Sequence, residues 1–248
     1  MSSKPLSATP DQAAGTTMRN RLIVALDVPT AQAARELVSR IGDAAGFYKV
    51  GLQLFTAEGP DFVRELVASG HKVFLDLKLH DIPNTVGHAV KSAAGLGASM
   101  LTVHASGGSE MLRAAVETAG QELAILGVTV LTSFCDADLH ETGVPAATTG
   151  QVLHLASLAQ AAGCAGVVTS ARETNAVRRA LGPALKIVNP GIRPARSDKD
   201  DQERTATPAE AIQAGASHIV VGRPITRATN PAKAAAEIVL EMEWAQNA

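Results

Sequence analysis

Aromatic side chains are scarce: five Phe, one Tyr and one Trp make up 3% of the 248 residues. So thin a supply does not build the stacking platform on which proteins bind single-stranded nucleic acid. Charge is almost balanced, with a formal net charge of −2. That removes any global attraction to nucleic acid or to an anionic membrane. No apolar run approaches the roughly 18 residues needed to span a bilayer. Cysteine occurs twice, as Cys135 and Cys164, too far apart to form a metal-ligand or redox motif. Two buried, unpaired thiols in a reducing cytoplasm are the expectation.

What the chain has in quantity is hydrophobic side chains, 46% of the total, enough for a sizeable core. The first twenty residues, "MSSKPLSATPDQAAGTTMRN", stand apart. They lack the apolar centre of a secretory signal, and their Ser, Thr, Ala and Pro read as a disordered tail, with Met18 an alternative start to Met1. Residues 21–248 read as one domain, because no second composition regime interrupts them.

Within that domain short β-branched runs alternate with Ala-rich helical patterns. The runs are "RLIVALDV", "FYKVGLQ", "KVFLDLKL", "MLTVHA", "AILGVTVL", "GVVTS", "KIVNPG" and "HIVVGR". Most are almost continuously apolar, as strands covered on both faces of a parallel sheet must be. Segments between them, such as "TAQAARELVSRIG" and "PDFVRELVASG", open on Thr or Pro and close on Gly, the start and stop signals of helices. Eight βα units of this size predict a (β/α)₈ barrel of the TIM type. The competing fold, an open doubly wound sheet, often carries a G-x-G-x-x-G fingerprint after its first strand. Here that position reads "LDVPTA".

Active sites of such barrels lie at the C-terminal ends of the strands. Charged residues gather at that end here. Asp27 ends the first run, Lys49 lies in the second, Asp76 and Lys78 in the third. His104 ends the fourth, Thr132 follows the fifth, and Arg193 and Arg223 follow the seventh and eighth. Asp76 and Lys78 are two apart, so a regular strand turns both to one face, with Leu75, Leu77 and Leu79 facing the helices. A structural ion pair would explain these two alone, but not Asp27 and Lys49 on neighbouring strands as well. Alternating signs keep one another ionised. His104 reads as a structural histidine, as do His71, His88, His140 and His154, and no spacing calls for a metal ion.

"NPGIRP" and "VVGRPI", after the seventh and eighth runs, join glycine to arginine. Glycine lets backbone N–H groups approach an anion, and arginine supplies a forked donor. Those two loops form the usual phosphate site of the fold, so a small phosphorylated substrate follows. The polar stretch "ARSDKDDQERTAT", residues 195–207, is placed to act as a lid, with Gln202 its candidate for touching phosphate.

The stretch "DLKLHDIPNT" resembles, in full, the D-x-K-x-H-D-I-P-N-T signature of the orotidine 5′-phosphate decarboxylase family. "ALDVP", "YKVGLQLF", "VTVLTS", "NPGIRP" and "VVGRPIT" are similar to it as well, in the same order and across almost the whole domain. The resemblance implies conversion of orotidine 5′-monophosphate to uridine 5′-monophosphate in pyrimidine biosynthesis, with no metal or organic cofactor. It implies a cytoplasmic homodimer with no nucleic-acid or membrane partner. Lys49, Asp76 and Lys78 would form the catalytic array, joined by Asp81 from the partner chain, and Lys78 would protonate the carbon that loses CO₂. Asp27 and Lys49 would hold the ribose, with Thr85 reaching across from the partner, and Thr132 would lie near the pyrimidine. Arg193, Gln202, Gly222 and Arg223 would hold the phosphate or the loop over it. The rival within the same superfamily is a magnesium-dependent sugar-phosphate decarboxylase or aldolase, which shares the Asp-x-Lys-x-x-Asp core. A rival of another class is a silent barrel that binds phosphorylated ligands without turnover.

Overall fold

A computed structural model describes residues 17–195 and 205–247. Eight parallel strands close into a barrel in sequence order. They are β1 (Leu22–Ala25), β2 (Phe47–Gly51), β3 (Lys72–Leu79), β4 (Met100–His104), β5 (Ala124–Val128), β6 (Gly166–Val168), β7 (Lys186–Asn189) and β8 (His218–Val221). The barrel closes where Leu22, Ile23 and Val24 pair with Ile219, Val220 and Val221. Helices follow the strands: α1 (Ala31–Ile41), α2 (Leu52–Glu58), α3 (Pro60–Ala68), α4 (Pro83–Ala94), α5 (Gly108–Ala119) and α6 (Asp136–Glu141) come first. After them lie α7 (Thr148–Ala161), α8 (Ala171–Leu181), α9 (Pro208–Gln213), α10 (Arg223–Thr226) and α11 (Pro231–Asn247). No described helix is long and apolar enough to cross a membrane.

Local chemistry sets the helix ends. The Thr30 hydroxyl accepts from the Ala33 N–H at the start of α1. Thr207 and Glu210 form a reciprocal capping box on α9, which satisfies two donors that a helix start leaves without partners. Proline occupies the first turn of α3, α4 and α9, where its missing N–H costs nothing. Two cores result from the alternation along each strand. Ile23, Phe47, Phe74, Met100, Leu126, Val188 and Val220 fill the barrel interior. Leu22, Val24, Val50, Leu75 and Leu101 face the helices.

Three sequence expectations are modified. Met18–Arg21 forms a 3₁₀ turn across the end of the stretch assigned to the tail, and Met18 packs into the outer core. The second apolar run ends as a strand at Gly51, and Leu52 already opens α2. Of the two free thiols, Cys164 is buried but Cys135 is exposed, because it stands in a loop at the start of α6.

At the bottom of the barrel His218 makes an edge contact with Phe47. Burial, with Arg21, Lys186 and Lys72 nearby, lowers its pKa to about 4. The folded state therefore binds this proton less readily than the unfolded chain does, so stability falls as pH drops from the ordinary histidine range towards 4. This one group is expected to remove about 2 kcal/mol between pH 7 and pH 5. Denaturant titrations of His218→Leu and the parent at both pH values check this, the variant losing that much less.

Candidate active site

The charged row foreseen at the C-terminal ends of the strands is assembled by the first three of them. Lys49 Nζ donates to Asp27 Oδ1 at 2.8 Å and lies 3.8 Å from Asp76 Oδ2. Lys78 Nζ donates to Asp76 Oδ1 at 2.7 Å. The result is a line of alternating charge: Asp27, Lys49, Asp76, Lys78. Lys49 and Asp76 are the covered members, with side chains 10% and 14% exposed, whereas Asp27 at 58% reaches solvent. Taking ions out of water costs several kcal/mol each, and here each inner charge meets ions of opposite sign on both sides.

The side-chain directions agree with strand alternation, although β3 is not regular. Phe74 lies in the barrel interior, while Leu75, Leu77 and Leu79 pack outwards. Between Leu75 and Leu79 the pairing with β4 slips: Leu75 faces Leu101, but Leu79 faces Val103. Four steps along β3 thus oppose two along β4. Such a bulge re-aims side chains, and here it falls on the stretch that carries Asp76 and Lys78, both of which line the cavity at the barrel mouth. Lys78 has φ of 50°, the only positive φ of a non-glycine residue among those described. That conformation costs roughly 1–2 kcal/mol and is of the kind that collects at functional sites.

Two residues that sequence reasoning missed support the row. Thr102, on β4 opposite the bulge, is completely buried. Its hydroxyl accepts from the Lys78 backbone N–H at 2.9 Å and donates to Asp76 Oδ1 at 3.0 Å. Gly51 ends β2, and a Cβ there would stand 2.7 Å from Lys49 Nζ and 3.4 Å from Asp27 Oδ1. Only glycine leaves that ion pair its place. A threonine in a strand is too ordinary to signal its role, whereas a glycine two residues after a mouth lysine was a usable sign.

A cavity of about 590 Å³ opens above the row, within the range of small-molecule sites. Asp27, Lys49, Asp76 and Lys78 line it, with Thr132, Arg193, Gly222 and Arg223 among the other lining residues. Arg193 is nearly buried, and its backbone N–H donates to Ala206 O at 2.9 Å, tying the strand-seven loop to the chain just before α9. Gly222 precedes the first turn of α10, whose first residue is Arg223. Arg227, which the sequence did not single out, adds a third guanidinium to the lining.

Asp81 and Thr85 are not among the described residues that line this cavity. Asp81 Oδ1 accepts from the Ile82 N–H at 2.6 Å, and residues 81–85 are all exposed. Gln202 and most of the expected lid lie outside the described residues. His104 sits against His80, with ring centroids 5.4 Å apart. Burial above all, then the neighbouring His80 and Lys78, holds its pKa below the usual value.

Fold and site together define a (β/α)₈-barrel whose mouth holds an ammonium–carboxylate row and a set of arginines around one cavity. Residues 20–238 match the model of the orotidine 5′-phosphate decarboxylase / HUMPS family, and the chain belongs to that family. A relative from Methylorubrum extorquens named orotidine 5′-phosphate decarboxylase is 53% identical over 225 residues, covering 91% of this chain and 96% of its own. Another of that name, from Anaeromyxobacter dehalogenans, is 53% identical over 218 residues, or 88% and 96% of the two chains. Among solved structures, orotidine 5′-phosphate decarboxylase from Lactobacillus acidophilus superposes with a TM-score of 0.81 at 40% identity. It covers 89% of this chain and 98% of that one.

Proposed function

We propose that this chain decarboxylates orotidine 5′-monophosphate to uridine 5′-monophosphate in pyrimidine biosynthesis. The observation that carries the reading is the unbroken row Asp27–Lys49–Asp76–Lys78 on the wall of a cavity that Arg193 and Arg223 also line. The arginines and Gly222 grip the phosphate, Asp27 and Lys49 meet the ribose hydroxyls, and Thr132 lies against the pyrimidine. Asp76 then faces the substrate carboxylate. Two such charges about 4 Å apart repel by roughly 4 kcal/mol at an effective dielectric of about 20, and departure of neutral CO₂ removes the repulsion. The C6–carboxylate bond breaks with its electron pair left on C6. The Lys78 ammonium stabilises that pair and donates a proton to it, and solvent then reprotonates Lys78.

The site needs no electron sink if a fixed cation meets the carbanion where it forms. Both oxygens of Asp76 turn towards ammonium groups, which compete with any metal cation. That pairing favours the cofactor-free reaction over the magnesium-dependent one. Binding energy from the remote phosphate serves to organise the charged row around C6.

The working enzyme is a homodimer in the cytoplasm, where reducing conditions suit free thiols. The exposed run 81–85, with Ile82 at 65% exposure, supports an interface through which Asp81 and Thr85 complete the partner's site. The purified protein is expected to deplete orotidine 5′-monophosphate absorbance at an undiminished rate in excess EDTA. Turnover that requires added magnesium and a sugar phosphate would instead assign it to the metal-dependent branch.

A further inference from the structure

We infer that Thr102 is a positioning residue for the decarboxylation, one whose hydroxyl fixes the Asp76 carboxylate and the Lys78 ammonium relative to the reacting carbon. The inference rests on the functional reading above and adds a residue on β4 to it.

The bulge in β3 creates a problem that Thr102 solves. Where the β3–β4 ladder slips between Leu75 and Leu79, regular strand pairing is interrupted at the residues that carry the charges. The Lys78 N–H turns to Thr102 Oγ1 at 2.9 Å. The same oxygen donates to Asp76 Oδ1 at 3.0 Å, and Asp76 Oδ1 also receives Lys78 Nζ at 2.7 Å. A closed circuit results: Lys78 backbone, Thr102 hydroxyl, Asp76 carboxylate, Lys78 side chain.

A threonine hydroxyl has one proton and two lone pairs. Because one lone pair takes the Lys78 N–H, the proton is directed at Asp76. Thr102 is completely buried, so water does not compete for either bond. With Oδ1 held in this way, Oδ2 is left facing Lys49 Nζ at 3.8 Å. One atom on a neighbouring strand therefore sets the carboxylate plane, and with it the place of the Lys78 ammonium, whereas Lys49 is held by Asp27 at 2.8 Å. A misplacement of about 1 Å at a reacting centre costs on the order of 10²-fold in rate.

The competing account is that Thr102 only fills space between β3 and β4. Valine and serine separate the two. Valine keeps the volume and loses the hydroxyl; serine keeps the hydroxyl and loses a methyl group. If the hydroxyl positions the pair, Thr102→Val lowers kcat about 10²-fold. KM changes little, because the phosphate and ribose contacts lie elsewhere. Thr102→Ser stays within a few-fold of the parent. If Thr102 only packs, the order reverses and valine is the better substitute. Should the valine variant fail to fold, Ser against Ala reads the same hydroxyl, with serine expected to exceed alanine by a similar factor in kcat. An undiminished kcat in Thr102→Val, or equal loss in Ser and Ala, overturns the role of Thr102 while parent turnover leaves the functional reading standing. A parent protein inert towards orotidine 5′-monophosphate overturns that reading and this inference with it.

Discussion

Lys78→Ala is expected to lower kcat/KM by on the order of 10⁵-fold, since it removes a general acid and a fixed transition-state charge at once. The size follows from what one group is asked to do. Proton donation by a positioned side chain contributes about 10²–10⁴, and one preorganised electrostatic contact about 10²–10³. Both belong to the transition state, so the loss should fall on kcat while binding of the product uridine 5′-monophosphate changes far less. Backbone relaxation is not an alternative cause. Alanine and lysine both carry a Cβ, so the left-handed conformation at φ 50° strains either one alike. A thermal melt close to the parent alongside lost turnover would attribute the effect to the ammonium. Activity within tenfold of the parent would remove Lys78 from the chemistry.

Why that ammonium was visible in the sequence, and its support was not, is a matter of range. A charge two residues from another in the apolar run 72–79 contradicts its surroundings, and period-two alternation is enough to turn Asp76 and Lys78 to one face. The eight strands were legible for a related reason: buried on both faces, they leave continuous apolar runs. The bulge at Asp76–Lys78 depends on how β4 pairs with β3, a relation between segments that no window on β3 contains. Thr102 is silent for the same reason, because threonine is common in strands and its partners lie more than twenty positions away. Met18 was hidden by composition: one apolar anchor in a Ser/Thr/Pro-rich stretch packs against the outer core. Asp81 and Thr85 were named only through the family signature. Their exposure in a single chain explains why nothing in strand or helix patterning pointed to them.

Mixing two inactive variants is expected to restore activity. If Asp81 acts in the partner's site, Lys78→Ala and Asp81→Ala each disable both sites of their own homodimers. A heterodimer of the two carries both lesions in one site and neither in the other. Random exchange of equal amounts makes half the dimers mixed, so the mixture should recover about a quarter of parental activity, as a symmetric two-site assembly requires. The geometry makes this a demanding test. Lys78 points into its own cavity beside Asp76, whereas Asp81 stands in an exposed turn, bonded to the N–H of its neighbour Ile82. A second subunit seated on residues 81–85 is what would bring that carboxylate to the ammonium in its neighbour's site. Recovery should appear after the variants are mixed under conditions that let subunits exchange, and should be absent when the same variants are assayed separately. A mixture that stays inactive while its mass corresponds to a dimer would place both residues in one subunit's site. An active monomer would remove the shared site altogether, leaving Lys49, Asp76 and Lys78 to carry the reaction within one barrel.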